Sequence, residues 1–305
     1  MTTYYLPCIF LMPTFEGEAI RFEGGALHKR KWRTSTFDLA TLATKHKLHL
    51  SYQLMDVFLA SANCELEIEA ENCKAAIDIA DLFKVMLYLN GVSPFVIPFI
   101  ATHSVNSYSG INARDSNSLR DELPQGLQQG PTSETDCIEA WPHELTLYSM
   151  HNEIDSSATA ETIARAADFY WNWRELENRH RVLRVARIAL QTAPTIGHLG
   201  SSILHIWQGI EALFPEVRVE LKFRLSLLLA QLGSTIQPAA ETYPVARIAY
   251  DLRSKIAHGS THVVCMNDWV RAWNILTLAL RGVINRKHLP TEVELIQELL
   301  SSARL

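Results

Sequence analysis

Polar and apolar positions alternate without a break over Cys64-Glu65-Leu66-Glu67-Ile68-Glu69-Ala70-Glu71, setting four carboxylates on one face of an extended chain and four small or apolar side chains on the other. A half-buried strand is expected there. Upstream, Ala19, Phe22 and Leu27 flank Gly24-Gly25, and glycines able to take positive φ predict a hairpin. Downstream, Ile79, Leu82, Phe83, Met86 and Leu89 recur at helical spacing until Asn90-Gly91, and the apolar run Phe95 to Ile100 follows. A strand, helix, strand unit fits this order. From Asn106 to Pro142 the chain is rich in Ser, Asn, Gly, Gln and Pro and shows no period, so a long polar loop is expected. Glu144 to Met150 reads as a final strand.

Beyond residue 155 the pattern turns helical. Asp155-Ser156-Ser157 offers a helix cap. Apolar stripes then cover Ile163 to Gln191, Ile196 to Phe214, Val219 to Leu232, Pro244 to Gly259, Asp268 to Arg286 and Glu292 to Ser301. Pro194, Pro215 and Gly233 punctuate them. Pro244 is expected in a first helical turn, where its missing N–H costs nothing, and Gly259 at a left-handed helix end. Short links favour an up-and-down bundle. The fold class is therefore an α+β N-terminal domain, residues 1–154 with a polar loop at 106–142, followed by an all-α helical bundle, residues 155–305.

Composition narrows the functional classes. The chain has 305 residues, 48% hydrophobic and 20% charged, a globular balance. The longest apolar runs, Tyr4 to Pro13 and Ser93 to Ala101, are about half of a bilayer span and carry prolines, so no transmembrane helix is expected. No basic residue precedes Tyr4, and the five cysteines form no C-x-x-C pair. These features suggest a reduced, cytoplasmic compartment with free thiols and no structural zinc. The balance of 28 basic against 33 acidic residues argues against holding nucleic acid by bulk charge. The halves differ, however. Residues 1–150 carry 11 basic and 18 acidic side chains, residues 151–305 carry 17 and 15, and 14 of those 17 are Arg, which suits phosphate recognition.

No phosphate-binding loop, dinucleotide fingerprint, H-E-x-x-H or G-x-S-x-G pattern occurs, so no cofactor is implied. The row Glu65, Glu67, Glu69 and Glu71 could collect a metal, but protecting a sheet edge from pairing is the plainer reading. In His28-Lys29-Arg30-Lys31-Trp32-Arg33 an aromatic side chain lies among cations and could meet a nucleic-acid backbone; a solvated strand end explains it more simply.

The informative segment is Tyr250-Asp251-Leu252-Arg253-Ser254-Lys255-Ile256-Ala257-His258-Gly259. An Arg followed by His after four to six residues is weak alone, because Arg21/His28, Arg174/His180 and Arg281/His288 have the same spacing. Context distinguishes Arg253 and His258, which occupy the last turns of a helix. Asp251 and Lys255 share one face at i, i+4, and Ser254 and His258 another. A histidine there can act as general acid or base near neutral pH. Glu211, within an apolar helix, needs a partner, and an Arg or Lys of the motif helix is the natural one.

Taken in order, Ile206-Trp207-Gln208-Gly209-Ile210-Glu211-Ala212-Leu213-Phe214, Leu221-Lys222-Phe223-Arg224-Leu225-Ser226 and the Tyr250 to Gly259 segment resemble the ApeA-type branch of the HEPN superfamily over residues 160–290. The resemblance implies a helical bundle that forms a homodimer. It further implies a metal-independent endoribonuclease of an anti-phage defence or toxin-like stress system, with Arg253 and His258 catalytic and Ser254, Lys255, Glu211 and Asp251 supporting. RNA, such as tRNA or a phage transcript, is then the implied partner. Residues 1–154 would sense, regulate or select substrate, with a possible regulatory partner and no membrane. The alternative is a non-catalytic HEPN module that binds RNA, nucleotide or a protein. A third reading gives residues 1–150 an activity of their own through His103, Asp115 and His143.

Overall fold

The computed structural model describes residues 1–45, 60, 62–111, 121, 128, 138–140, 156–259 and 263–302. They form two compact units. The first holds Met1–Phe83 and the described residues from Gly91 to Ala167; the second holds Lys84–Asn90 and those from Asp168 onward.

The first unit contains β1 (Thr2–Ile9), β2 (Met12–Pro13), β3 (Ala19–Phe22), β4 (Gly25–Lys29), α1 (Thr36–Lys45), β5 (Ala62–Ala70), most of α2 (Cys73–Leu89), β6 (Phe99–Ala101), β7 (Ile138–Ala140) and β8 (Ser157–Ala158). One sheet has the order β3-β4-β5-β1-β6-β7, and every neighbouring pair is antiparallel. The β3–β4 hairpin pairs Phe22 with Gly25, and Gly24 takes φ 86° at its turn, as the two glycines predict. Helix α2 connects β5 to β6, with β1 between those strands. Leu6, Ile9, Leu27, Leu66, Ile68, Ala76 and Ala80 are buried. Phe22 stacks on Phe83 with centroids 4.5 Å apart.

The acidic strand departs from expectation. β5 is an interior strand, not an edge, and Glu65 is 0% exposed. Its carboxylate accepts from Arg30 Nε at 2.8 Å, Ser104 Oγ at 2.7 Å and the Val105 backbone N–H at 3.0 Å. Alternation marked the strand correctly, but a buried charge is tolerated when its lone pairs are filled. Facing thiols occupy the same pair of strands: Cys8 lies opposite Cys64 in register. The Cys8 thiol and burial together hold the Cys64 thiol well above its ordinary range.

Two other expectations are corrected. Of the apolar run Phe95 to Ile100, only Phe99 and Ile100 lie in a strand, with an isolated bridge from Val96 to Ile9; Pro94 and Pro98 bring no N–H to a ladder. Within 106–142, the 3-10 turn Val105–Tyr108 buries both of its ends, and Ile138–Ala140 extends the sheet beside β6. The rest of that segment, apart from residues to 111 and single positions, lies outside the described residues, as does Glu144 to Met150.

The helices are α3 (Ala160–Arg179), α4 (Val182–Thr192), α5 (Leu199–Ala212), α6 (Leu221–Leu232), α7 (Ala239–Ala257), α8 (Met266–Arg286) and α9 (Glu292–Ser302). Thr159 caps α3, exchanging bonds with Thr162; of the expected cap, Asp155 lies outside the described residues and Ser157 lies in β8. The expected helix Ile163 to Gln191 is two helices broken at His180-Arg181. Pro244 lies in the second turn of α7, not the first, since the helix already begins after Pro238. The core is aromatic. Trp173, Trp207, Trp269 and Trp273 are each at most 1% exposed, and Trp269 Nε1 donates to buried Ser202 Oγ at 2.6 Å. Arg224 holds α9 through a bidentate pair with Glu292 at 2.8 and 2.6 Å.

Lowered carboxylate pKa values, those of Glu177 and Glu298 among them, predict acid sensitivity for this helical part. Burial alone would raise the Glu177 pKa, but bonds from Arg187 and Trp173 outweigh it and hold the group below its usual range. Glu298 is lowered likewise, burial being outweighed by Arg286 and Gln231. A lowered native pKa means that the unfolded chain binds more protons as pH falls. The stability is present above about pH 4.3 and lost as pH drops through the native value. Melting temperatures should therefore fall below about pH 4, and Glu177→Gln should shallow that acid limb.

Candidate functional site

Helix α7 places the candidate residues. Its last turn closes as His258 N–H donates to Ser254 O at 3.1 Å and Gly259 takes φ 72°, the left-handed end expected of Gly259. His258 is the exposed C-cap, and its ring makes no hydrogen bond to any described residue. At 100° per residue, Arg247, Asp251, Ser254 and His258 fall within about 60° of one another around the helix. Arg253 lies about 140° from His258.

Arg253 turns inward to α5, as the need of Glu211 for a partner suggested. Its Nη2 lies 2.8 Å from Glu211 Oε1 and 3.1 Å from Oε2, aligned for a hydrogen bond only with the second. Its guanidinium also sits 5.7 Å from the Tyr250 ring centre, and Trp207 meets the same ring edge to face at 5.3 Å. Arg253 Nε, Trp207 Nε1 and Glu211 Oε1 are buried without hydrogen-bond partners among the described residues. Burial pushes the Tyr250 phenol above its ordinary value, with Arg253 opposing and Glu211 adding to the shift.

Asp251 does not pair with Lys255 on its own helix. It accepts from Lys222 Nζ of α6 at 2.6 Å, leaving Lys255 exposed. The α6–α7 pairing brings a cation closer to Asp251 than the helix's own i+4 position does. Ser254 is half-buried beside His258.

Next to this stripe is an open groove of about 570 Å³, whose walls include Arg218, Lys222, Phe223, Arg247 and Tyr250. Lys222 is offset by Asp251, whereas Arg218 and Arg247 have no carboxylate partner among the described residues. Phe223 is 52% exposed. Arg218 and Arg247 were not among the sequence candidates, yet the i, i+4, i+7, i+11 spacing of Arg247, Asp251, Ser254 and His258 was a readable signal.

Other candidates bring less together. The Arg-rich helices spend their cations locally: Arg187 pairs with Glu177, Arg179 with Glu175 and Arg165 with Glu161, and Arg174 covers Tyr170 and Trp171. His103 meets Thr102 and Tyr108, while Asp115 and His143 lie outside the described residues. Among the described residues no group of three or more His, Cys, Asp or Glu side chains could hold a metal, and none of the helices is long and apolar enough to cross a membrane. The chain matches no protein-family model, no curated protein and no solved structure.

Proposed function

We propose that the helical unit is a metal-independent endoribonuclease acting as a two-fold dimer, with His258 moving protons and Arg253 meeting phosphate. The observation that carries this reading is the exposed His258, whose ring has no hydrogen-bond partner among the described residues, at the end of a stripe that reaches Arg247 in the groove wall. RNA cleavage without metal needs a base for the 2′-hydroxyl proton, an acid for the leaving oxygen and a cation for charge on the phosphorane. One protomer offers one histidine; two related by a two-fold axis offer both roles. Glu211 orients Arg253, and Asp251 fixes Lys222 in the groove wall. Ser254 and Lys255 flank the histidine. The resemblance to HEPN proteins supports a role in a defence or stress system, with residues 1–154 as sensor, regulator or substrate selector.

A second reading, a non-catalytic HEPN module, is favoured by one observation: Arg253 is already engaged by Glu211. The two readings separate in one experiment, incubation of wild-type and Arg253→Ala/His258→Ala protein with total bacterial RNA in excess chelator. Cleavage that survives the chelator, disappears in the variant and leaves 2′,3′-cyclic phosphate ends is expected. Folded proteins that bind RNA alike and never cut would establish the module instead.

A further inference from the structure

In the acidic half of the chain, one cavity of about 700 Å³ has Lys29, Arg30, Lys31, Trp32, Arg33 and Asn63 in its walls, with Glu18 the one carboxylate there. The basic segment is not a loose strand end. Arg30 N–H donates to Asn63 O at 2.8 Å, and Trp32 Nε1 donates to Ala62 O. Asn106 clamps it from the other side, accepting from Arg33 N–H at 2.7 Å and donating to Lys31 O at 3.0 Å. Thr34 Oγ1 donates to Val105 O. The cations around the cavity are therefore positioned before any ligand arrives.

Their charges are unequally used. Lys29 Nζ donates to Phe15 O and Arg30 to buried Glu65, so these two hold the wall together. Lys31 and Arg33 are exposed and have no carboxylate partner among the described residues. The Trp32 indole is tethered by its N–H, which leaves its ring for stacking. Asn63, in the same wall, donates from its amide nitrogen to Met12 Sδ at 3.2 Å, while its Oδ1 is buried with no hydrogen-bond partner among the described residues.

We propose that this cavity binds a free nucleoside polyphosphate, with phosphates on Lys31 and Arg33, the base on Trp32 and a base amino group donating to Asn63 Oδ1. The volume lies within the range of small-molecule sites. One indole, one orphaned acceptor and two free cations match one base and one phosphate chain rather than a track for a polynucleotide. The assignment rests on the first unit and is independent of the ribonuclease reading.

The test is calorimetric titration of the full chain with ATP, GTP, AMP, tripolyphosphate and a short oligouridylate, repeated on Lys31→Ser/Arg33→Ser and on Asn63→Ala. Saturable binding of ATP or GTP is expected, weakened about tenfold or more in the double variant, whose positions are exposed and whose melting temperature should be unchanged. Asn63→Ala should weaken ATP or GTP and leave tripolyphosphate unaffected. Equal affinity for tripolyphosphate and ATP would overturn base recognition. Binding of the oligonucleotide that ATP does not displace, or no binding of either triphosphate, would overturn the assignment altogether.

Discussion

His258→Ala is expected to lower the proposed RNA cleavage by a factor of about 10² to 10⁴, the usual worth of a positioned acid or base, while the unfolding transition stays in place. The second half of this expectation follows from geometry. His258 is exposed and caps α7 with its backbone, so truncating the ring removes no hydrogen bond within the described residues. Surface changes of this kind usually move stability by less than about 0.5 kcal/mol. Arg253→Ala is a poorer probe, because it also strips Glu211 of its guanidinium and mixes lost activity with an uncompensated carboxylate. Initial rates on a defined RNA, read with melting curves of both variants, check the prediction. An active His258→Ala enzyme removes that histidine from the mechanism.

In the other unit the largest effect should come from Glu65→Ala, with a loss of about 3–5 kcal/mol in urea unfolding. Glu65 is fully buried and receives three donors. Its removal strands Arg30 and the Val105 N–H and loosens the start of the 3-10 turn against β5. The double variant Glu65→Leu/Arg30→Met should cost less than Glu65→Ala, since it removes both charges together. If the single variant is as stable as wild type, the carboxylate is not the anchor described.

The strand β5, the β3–β4 hairpin, α2 and five helices of the second half were legible because each repeats a local period or ends on a Gly or Pro. The ladder order was not. Whether an alternating strand lies at an edge or inside a sheet depends on partners far along the chain, and this is why the glutamate row reads as edge protection although β5 is interior and Glu65 buried. The break at His180-Arg181 escaped because neither residue is a strong helix breaker and the apolar stripe continues across it. At the candidate site, the Glu211–Arg253 pairing followed from the cost of a buried carboxylate. The groove of Arg218 and Arg247 did not, because Arg218 joins it only through the packing of α6 against α7.

The central position of β1 also bears on how the first unit forms. Tyr5 pairs with Glu67 on one side and Ala101 on the other, and Met12 of the next strand pairs with Ser157. These closures span much of the chain, so little of the sheet rewards the chain entropy they cost until most of the unit has been made. The helical unit, whose neighbours are mostly close in sequence, should reach its native state sooner. A refolding trace is then expected to separate into a fast helical phase and a slower phase limited by insertion of β1, during which β5 and β6 expose unpaired edges to other chains.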